Sequence, residues 1–326
     1  MRFQNLERSE LAAMEKALRE GARIDVELRG PLPRGIRASS LLPLFDSFSA
    51  QDPVLTRDLQ VFLPPVAHVP AAPYRVTAVI PSNGPTPLGL EALRAQDCEV
   101  EVLVLANGGA QPEGDRVVEV AWQGHGPTRQ RGVELAEGDY VLFTVNDALP
   151  RGAGCVRTLV EALEDGGYDA VFGRQVPWPT SDTTTRERLH TWTPPGKSHR
   201  AVQHFDHVFA LARRETLLQN PLPPVPIAED LHWSQGRRIG YVPTAPVAHA
   251  HRRQPGALYR RNRDIHLEHL RLGEQPRVPN LWALAASLPG VVKPALQGGV
   301  QEIPNQIAEL LGQWRAARMT RKQPKP

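Results

Sequence analysis

Between Tyr74 and Phe172 the chain repeats one pattern five times, and that pattern leaves few folds open. Arg75–Ile80 (RVTAVI), Glu99–Leu105 (EVEVLVL), Arg116–Val120 (RVVEV), Tyr140–Phe143 (YVLF) and Ala170–Phe172 are short apolar runs rich in β-branched residues. Stretches of helical spacing separate them at Leu88–Ala95, Pro127–Ala136 and Val156–Glu164. Compact apolar strands alternating with helices predict an α/β fold, a mostly parallel sheet with helices on both faces. Pro127 suits a first helical position and Gly138 a helix stop.

The runs end in small or polar segments: Pro81-Ser82-Asn83-Gly84, Ala106-Asn107-Gly108-Gly109, Gln123-Gly124-His125-Gly126 and Val145-Asn146-Asp147. In a parallel sheet these segments share the carboxyl edge, where open α/β sheets bind ligands. Gly166 to Asn220 is less regular and holds four prolines, yet Trp178, Trp192, Phe205 and Phe209 predict that it packs.

The flanks read differently. Residues 1–72 form an N-terminal extension in which Leu11, Met14 and Leu18 have helical spacing, Gly21 is a stop and Ile24–Leu28 alternates like a strand. It carries no recognisable chemistry and is expected to serve packing or homo-oligomerisation. Residues 273–326 read as a helical C-terminal tail with Ile307, Leu310, Leu311 and Trp314 in a stripe, followed by Arg315, Arg318, Arg321 and Lys322. The central domain is then 73–272. A net charge of +3 over 326 residues gives no argument for nucleic acid. Cys98 and Cys155 are too few for a disulfide framework or a cysteine-built zinc site. With no apolar leader in MRFQNLERSE and no long apolar run, the expected location is cytoplasmic. The apolar-plus-basic tail adds an expected peripheral contact with the inner membrane face.

Taken in order, VTAVIPSN, EVLVLANGG, GHGPTRQRGVELAEGDYVLF, GRQVPWP, AEDLHWS, YVPTAPVAHAH and LYRRNRDIH resemble a family 2 glycosyltransferase of the GT-A type, rhamnosyltransferase-like. The resemblance spans about 200 residues, ~74–272. It implies a Rossmann-like GT-A sheet, a nucleotide-diphospho-sugar donor, and a glycan, lipid-linked or other hydroxyl acceptor, as in building cell-surface polysaccharide. It also implies inversion at the anomeric carbon and a divalent metal, Mn²⁺ or Mg²⁺. Such a reaction needs a general base for the acceptor hydroxyl and positive charge for the departing diphosphate.

The resemblance assigns the base to Asp230 of the Glu229-Asp230 pair, with Glu229 and Trp233 on the acceptor side. A helix-N-terminal carboxylate is the competing reading of Asp230. Asp147 and His249 match the metal side, and Pro81, Ser82, Asn83, Asn107 and Asn146 the nucleotide side. Arg129 matches a basic position near the nucleotide, at a helix start whose N–H groups are also suited to phosphate. From the cluster Arg252, Arg253, Arg260, Arg261 and Arg263, Arg260 and Arg261 are the donor-binding candidates. Three departures stand out. Val145 and Asn146 replace the acids usual before Asp147, Ala106 replaces a nucleobase-binding aspartate, and His204–Phe209 replaces the usual asparagines and serines of a sugar- or acceptor-shaping loop. The alternative to an enzyme is therefore a catalytically silent relative that binds a nucleotide or glycan. A nucleotidyltransferase is disfavoured, because the first loop lacks a lysine-bearing phosphate cradle.

Overall fold

A computed structural model of the chain describes residues 1–4, 6–32, 36–64, 72–250, 254–272 and 303–320. They fall into two compact units, Met1–Ser181 with Arg188–Ala250, and Asp182–Glu187 with the described residues beyond Ala250.

The first unit opens with β1 (Arg2–Phe3), α1 (Arg8–Arg19), β2 (Asp25–Leu28), α2 (Ala38–Leu41), β3 (Ser47–Ala50) and α3 (Pro53–Leu59). The three strands make a small parallel sheet in the order β1-β2-β3. Leu11, Met14 and Leu18 are buried as their spacing predicts, and the left-handed Gly21 follows the end of α1. The remaining elements are β4 (Ala72–Ser82), α4 (Leu90–Arg94), β5 (Cys98–Ala106), β6 (Arg116–Glu119), α5 (His125–Leu135), β7 (Tyr140–Thr144), β8 (Leu149–Pro150) and α6 (Cys155–Gly166). Then come β9 (Ala170–Val176), α7 (Thr183–Trp192), β10 (Arg200–Val202), β11 (Phe209–Arg213), α8 (Arg214–Gln219), α9 (Glu229–Trp233) and β12 (Ile239–Ala248).

The main sheet has the order β10-β12-β9-β11-β7-β4-β5-β6, with β8 paired to β12. Strands β4, β5, β6 and β7 are mutually parallel, and β12 is parallel to β9. Side-chain alternation sends Val76, Ala78, Ile80, Val102, Val104 and Leu142 to one face, under α4 and α6. Val79, Leu103, Leu105, Val141 and Phe143 go to the other, under α5, α8 and α9. The expected α/β class, with helices on both faces, is the observed one.

Two local expectations change. Helix α5 ends at Leu135, so Gly138 is no helix stop. A Cβ on Gly138 would lie 2.7 Å from Thr77 N and 2.8 Å from Arg75 O, so glycine there admits the close approach of β4. The stretch after Phe172 also holds β11, antiparallel to both β7 and β9.

The N-terminal elements share one apolar core with Leu149, Val176, Trp178 and Ala248. Arg151 crosses into the same region, donating to Leu44 O at 2.9 Å and pairing with Asp46 at 3.2 Å. Arg174 donates to Ser39 O. Residues 1–64 thus brace the ends of β9 and β12.

The second unit contains α10 (Pro255–Arg271) and α11 (Ile303–Thr320), packed on each other. No helix among the described residues is long and apolar enough to cross a membrane. Residues 273–302 of the expected tail lie outside the described residues.

Candidate active site

Strands β4, β5, β7, β9 and β12 run the same way, so their carboxyl ends form one edge. Because β11 is antiparallel, its start and the 204–208 segment before it reach that edge too. Strand β4 has β5 on one side and β7 on the other, and this reversal of strand order is where an open α/β sheet forms its crevice. The loops there touch. The Asn107 N–H donates to Ser82 O and the Leu88 N–H to Asn146 O, both at 2.9 Å. Ser82 and Asn107 are buried and Asn83 is exposed, so Pro81, Ser82, Asn83, Asn107 and Asn146 come from adjoining loops. Val145 packs against the core under α4 and α6.

A hydrogen-bonded line then crosses the edge. Gln175, at the end of β9, donates from Nε2 to the Asp206 carboxylate. Its Oε1 is therefore the acceptor for His249 Nδ1, at 2.9 Å. With Nδ1 turned to Gln175, His249 presents Nε2 toward Asp147, 3.5 Å from Oδ1. Asp147 and His249 thus stand side by side, and Gln175, silent in the sequence, fixes the orientation of the imidazole.

The Glu229-Asp230 pair sits beside this line. Ala228 precedes it at φ 61°, the left-handed region that a residue with a Cβ avoids, and is the only non-glycine residue there among the described ones. Glu229 is 3% exposed and holds two partners: Arg129, and His207 Nδ1, which donates to Oε1 at 3.0 Å. Burial pushes the Glu229 carboxyl up, but the Arg129 charge and the His207 hydrogen bond outweigh it and hold the group well below the ordinary glutamate range. Asp230 goes the other way: burial raises its carboxyl, and the Glu229 and Asp206 charges raise it further. Two adjacent carboxyls pushed apart in this way suit separate roles, one fixed as an anion and one able to hold a proton.

The first turn of α5 is not open to phosphate, which corrects the expectation for that helix start. The His125 N–H donates to Pro226 O at 3.0 Å and the Gly126 N–H to Val225 O at 3.2 Å. A Cβ on Gly126 would fall 2.1 Å from Pro223 O, and one on Gly124 2.5 Å from Pro226 Cα. Both glycines admit the loop that leads into Glu229. Gly126→Ala is expected to displace that loop and cost about 1–3 kcal/mol, read as a lower urea midpoint.

Other sequence candidates are not members of this line. Trp233 is core, 3% exposed, with Nε1 donating to Asn220 O at 2.8 Å and the Arg237 guanidinium 4.5 Å above its ring. Arg260 and Arg261 are exposed on α10 of the second unit, and Arg252 and Arg253 lie outside the described residues.

Among the described residues no group of three or more His, Cys, Asp and Glu side chains is arranged to hold a metal ion. Asp147 and His249 offer one oxygen and one nitrogen, and a hard divalent cation would need further oxygens from a ligand.

Residues 90–218 match the family model Glycosyl transferase family 2. The matched stretch runs from α4 into α8 and takes in Asn107, Arg129, Asn146, Asp147, Gln175, Asp206 and His207. It ends before Glu229, Asp230 and His249, and begins after Pro81, Ser82 and Asn83. Among solved structures, the mannosyltransferase PcManGT from Pyrobaculum calidifontis, in complex with GDP-Man and Mn²⁺, superposes with a TM-score of 0.51 at 17% identity. The alignment covers 96% of this chain and 99% of that one. TarS from S. aureus with UDP-GlcNAc gives a TM-score of 0.41 at 15% identity, covering 60% of this chain and 66% of that one. Glucosyl-3-phosphoglycerate synthase from Mycobacterium tuberculosis, with Mn²⁺, UDP-Glc and glycerol 3-phosphate, gives 0.41 at 18%, covering 63% and 82%. No match was found among curated proteins. The fold is that of the GT-A glycosyltransferases.

Proposed function

We propose that the protein is an inverting glycosyltransferase that moves a sugar from a nucleotide-diphospho-sugar to an acceptor hydroxyl, with Asp230 as general base. One observation carries the reading. The line Asp147–His249–Gln175–Asp206 and the pair Glu229-Asp230 occupy one sheet edge, joined through His207, next to Asp206, which donates to Glu229 Oε1 at 3.0 Å. Loops bearing Ser82, Asn107 and Asn146 adjoin it at the switch point and suit the nucleotide. The match over residues 90–218 supports the same class.

In this mechanism Asp230 accepts the acceptor proton as the hydroxyl oxygen attacks the anomeric carbon and the nucleoside diphosphate departs. Glu229, fixed by Arg129 and His207, holds the α9 turn that places Asp230. Arg129 acts through Glu229, since its guanidinium is buried against that carboxylate. A divalent cation held by Asp147 and His249 would neutralise charge on the leaving diphosphate. With two protein ligands it would bind weakly alone and better with the nucleotide.

A silent, nucleotide-binding relative is the second reading, favoured by Val145 and Asn146 standing where acids are expected. A thermal-shift panel of nucleoside diphosphates and nucleotide-sugars, with and without Mn²⁺ or Mg²⁺, tests the shared step. The expected result is a rise in Tm with one nucleotide class, larger with metal. No shift with any of them overturns both readings; a shift without release of nucleoside diphosphate from any nucleotide-sugar in the presence of acceptor sugars favours the silent one.

A further inference from the structure

Helix α11 buries its small side chains and leaves large apolar ones exposed. It buries Gln306, Ala308, Glu309, Gly312, Ala316 and Ala317, a small and polar set, with Gly312 against α10 and Gln306 donating to Thr184 Oγ1 at 2.9 Å. Away from Gly312 it turns Ile307, 47% exposed, and Leu311, 43% exposed, with Trp314 half-buried. The cause is the spacing of small residues. Ala308, Gly312 and Ala316 recur every fourth residue, and they let α11 come against the α10 backbone. A Cβ on Gly312 would lie 2.4 Å from Tyr259 O and 3.0 Å from Arg263 N. With that face taken by small side chains, the large apolar ones are left on the other. Exposed apolar rows of this kind mark interaction surfaces.

Charge names the occupant. Arg315 and Arg318 lie exposed along the same stripe, and the Arg318 guanidinium sits 4.0 Å above the Trp314 ring. After Glu309 the sequence contains no acid, while Arg321, Lys322 and Lys325 follow. A second copy set on this face would bring the arginines of two chains together. An anionic bilayer accepts both features at once, apolar side chains at the acyl boundary and arginines at the headgroups.

We propose that α11 is an interfacial helix that docks the protein on anionic lipid through Ile307, Leu311, Trp314, Arg315 and Arg318. This does not depend on the chemistry proposed above.

The test is co-sedimentation of the full chain with vesicles of phosphatidylcholine, with and without phosphatidylglycerol. Binding is expected only with phosphatidylglycerol, and is expected to weaken with salt. Ile307→Ser with Leu311→Ser, and separately Arg315→Glu with Arg318→Glu, should each weaken it by at least about tenfold. These residues are exposed, so far-UV circular dichroism should be unchanged. Equal binding to neutral vesicles, or binding untouched by both pairs, overturns the proposal. A dimer in sedimentation that Ile307→Ser with Leu311→Ser dissociates would assign the face to a second copy and overturn it as well.

Discussion

Asp230→Asn is expected to slow sugar transfer by about 10²–10⁴-fold while leaving nucleotide binding nearly intact, because the proposed base acts on the acceptor and not on the donor. The same substitution should raise Tm at neutral pH. Asp230 is lifted above the ordinary aspartate value of 3.8, so in that range the folded state holds a proton that the unfolded state releases. Stability is therefore lost as pH rises from 3.8 through the raised value, and asparagine removes that loss. In the wild type the proposed reaction should show a kcat/KM that climbs with pH through the same raised value, since only the ionised carboxylate accepts a proton. Wild-type turnover in Asp230→Asn, measured as nucleoside diphosphate released per acceptor glycosylated, would remove Asp230 from the chemistry.

Glu229→Gln should produce the largest change in stability, about 3–5 kcal/mol, because it leaves the buried Arg129 guanidinium facing a neutral amide. Glu229 is held below the ordinary glutamate value of 4.5, so its contribution is fully present above 4.5 and is lost as pH falls below it. The gap between wild type and variant in urea denaturation should accordingly be widest near neutrality and close in acid. Arg129→Met with Glu229→Gln should recover part of the loss, since the pair is removed together. A gap that persists unchanged in acid would mean that Glu229 is not the anion of this cluster. The proposed role in catalysis predicts more. The double variant should stay slow even where it is stable, because the turn that carries Asp230 has lost its anchor.

The readable part of this protein was its local periodicity. Val76, Ala78 and Ile80 against Thr77 and Val79 already separate the two faces of β4, and Pro81 to Gly84 already marks its carboxyl end. Asp147 and His249 were legible as residue types in the right order, and the structure sets them 3.5 Å apart. Strand β11 was not legible. Phe-Ala-Leu-Ala-Arg is short and alanine-rich, and it forms a strand because β7 and β9 offer it hydrogen bonds on both sides. The resemblance already put the His204–Phe209 loop beside the sugar or acceptor, but with β11 unseen nothing tied Asp206 to Gln175 or His207 to Glu229. Gln175 carried no signal at all, because its role rests on what stands at either end of its amide.

Sequence alone determined the strand-and-helix alternation and the polar ends of the strands. Each depends on neighbours a few residues apart, where backbone geometry repeats with period two or about four. Only the tertiary structure decided what those groups do. Arg129 and Glu229 are 100 residues apart in the chain and meet buried, and that contact makes the arginine a clamp on a carboxylate instead of a phosphate ligand. It also decided that the N–H groups at the start of α5 go to Val225 and Pro226, and that α11 turns its apolar side outward. Charge pairing, desolvation and close backbone approach act between groups brought together by the fold, and no local pattern records who the partner is.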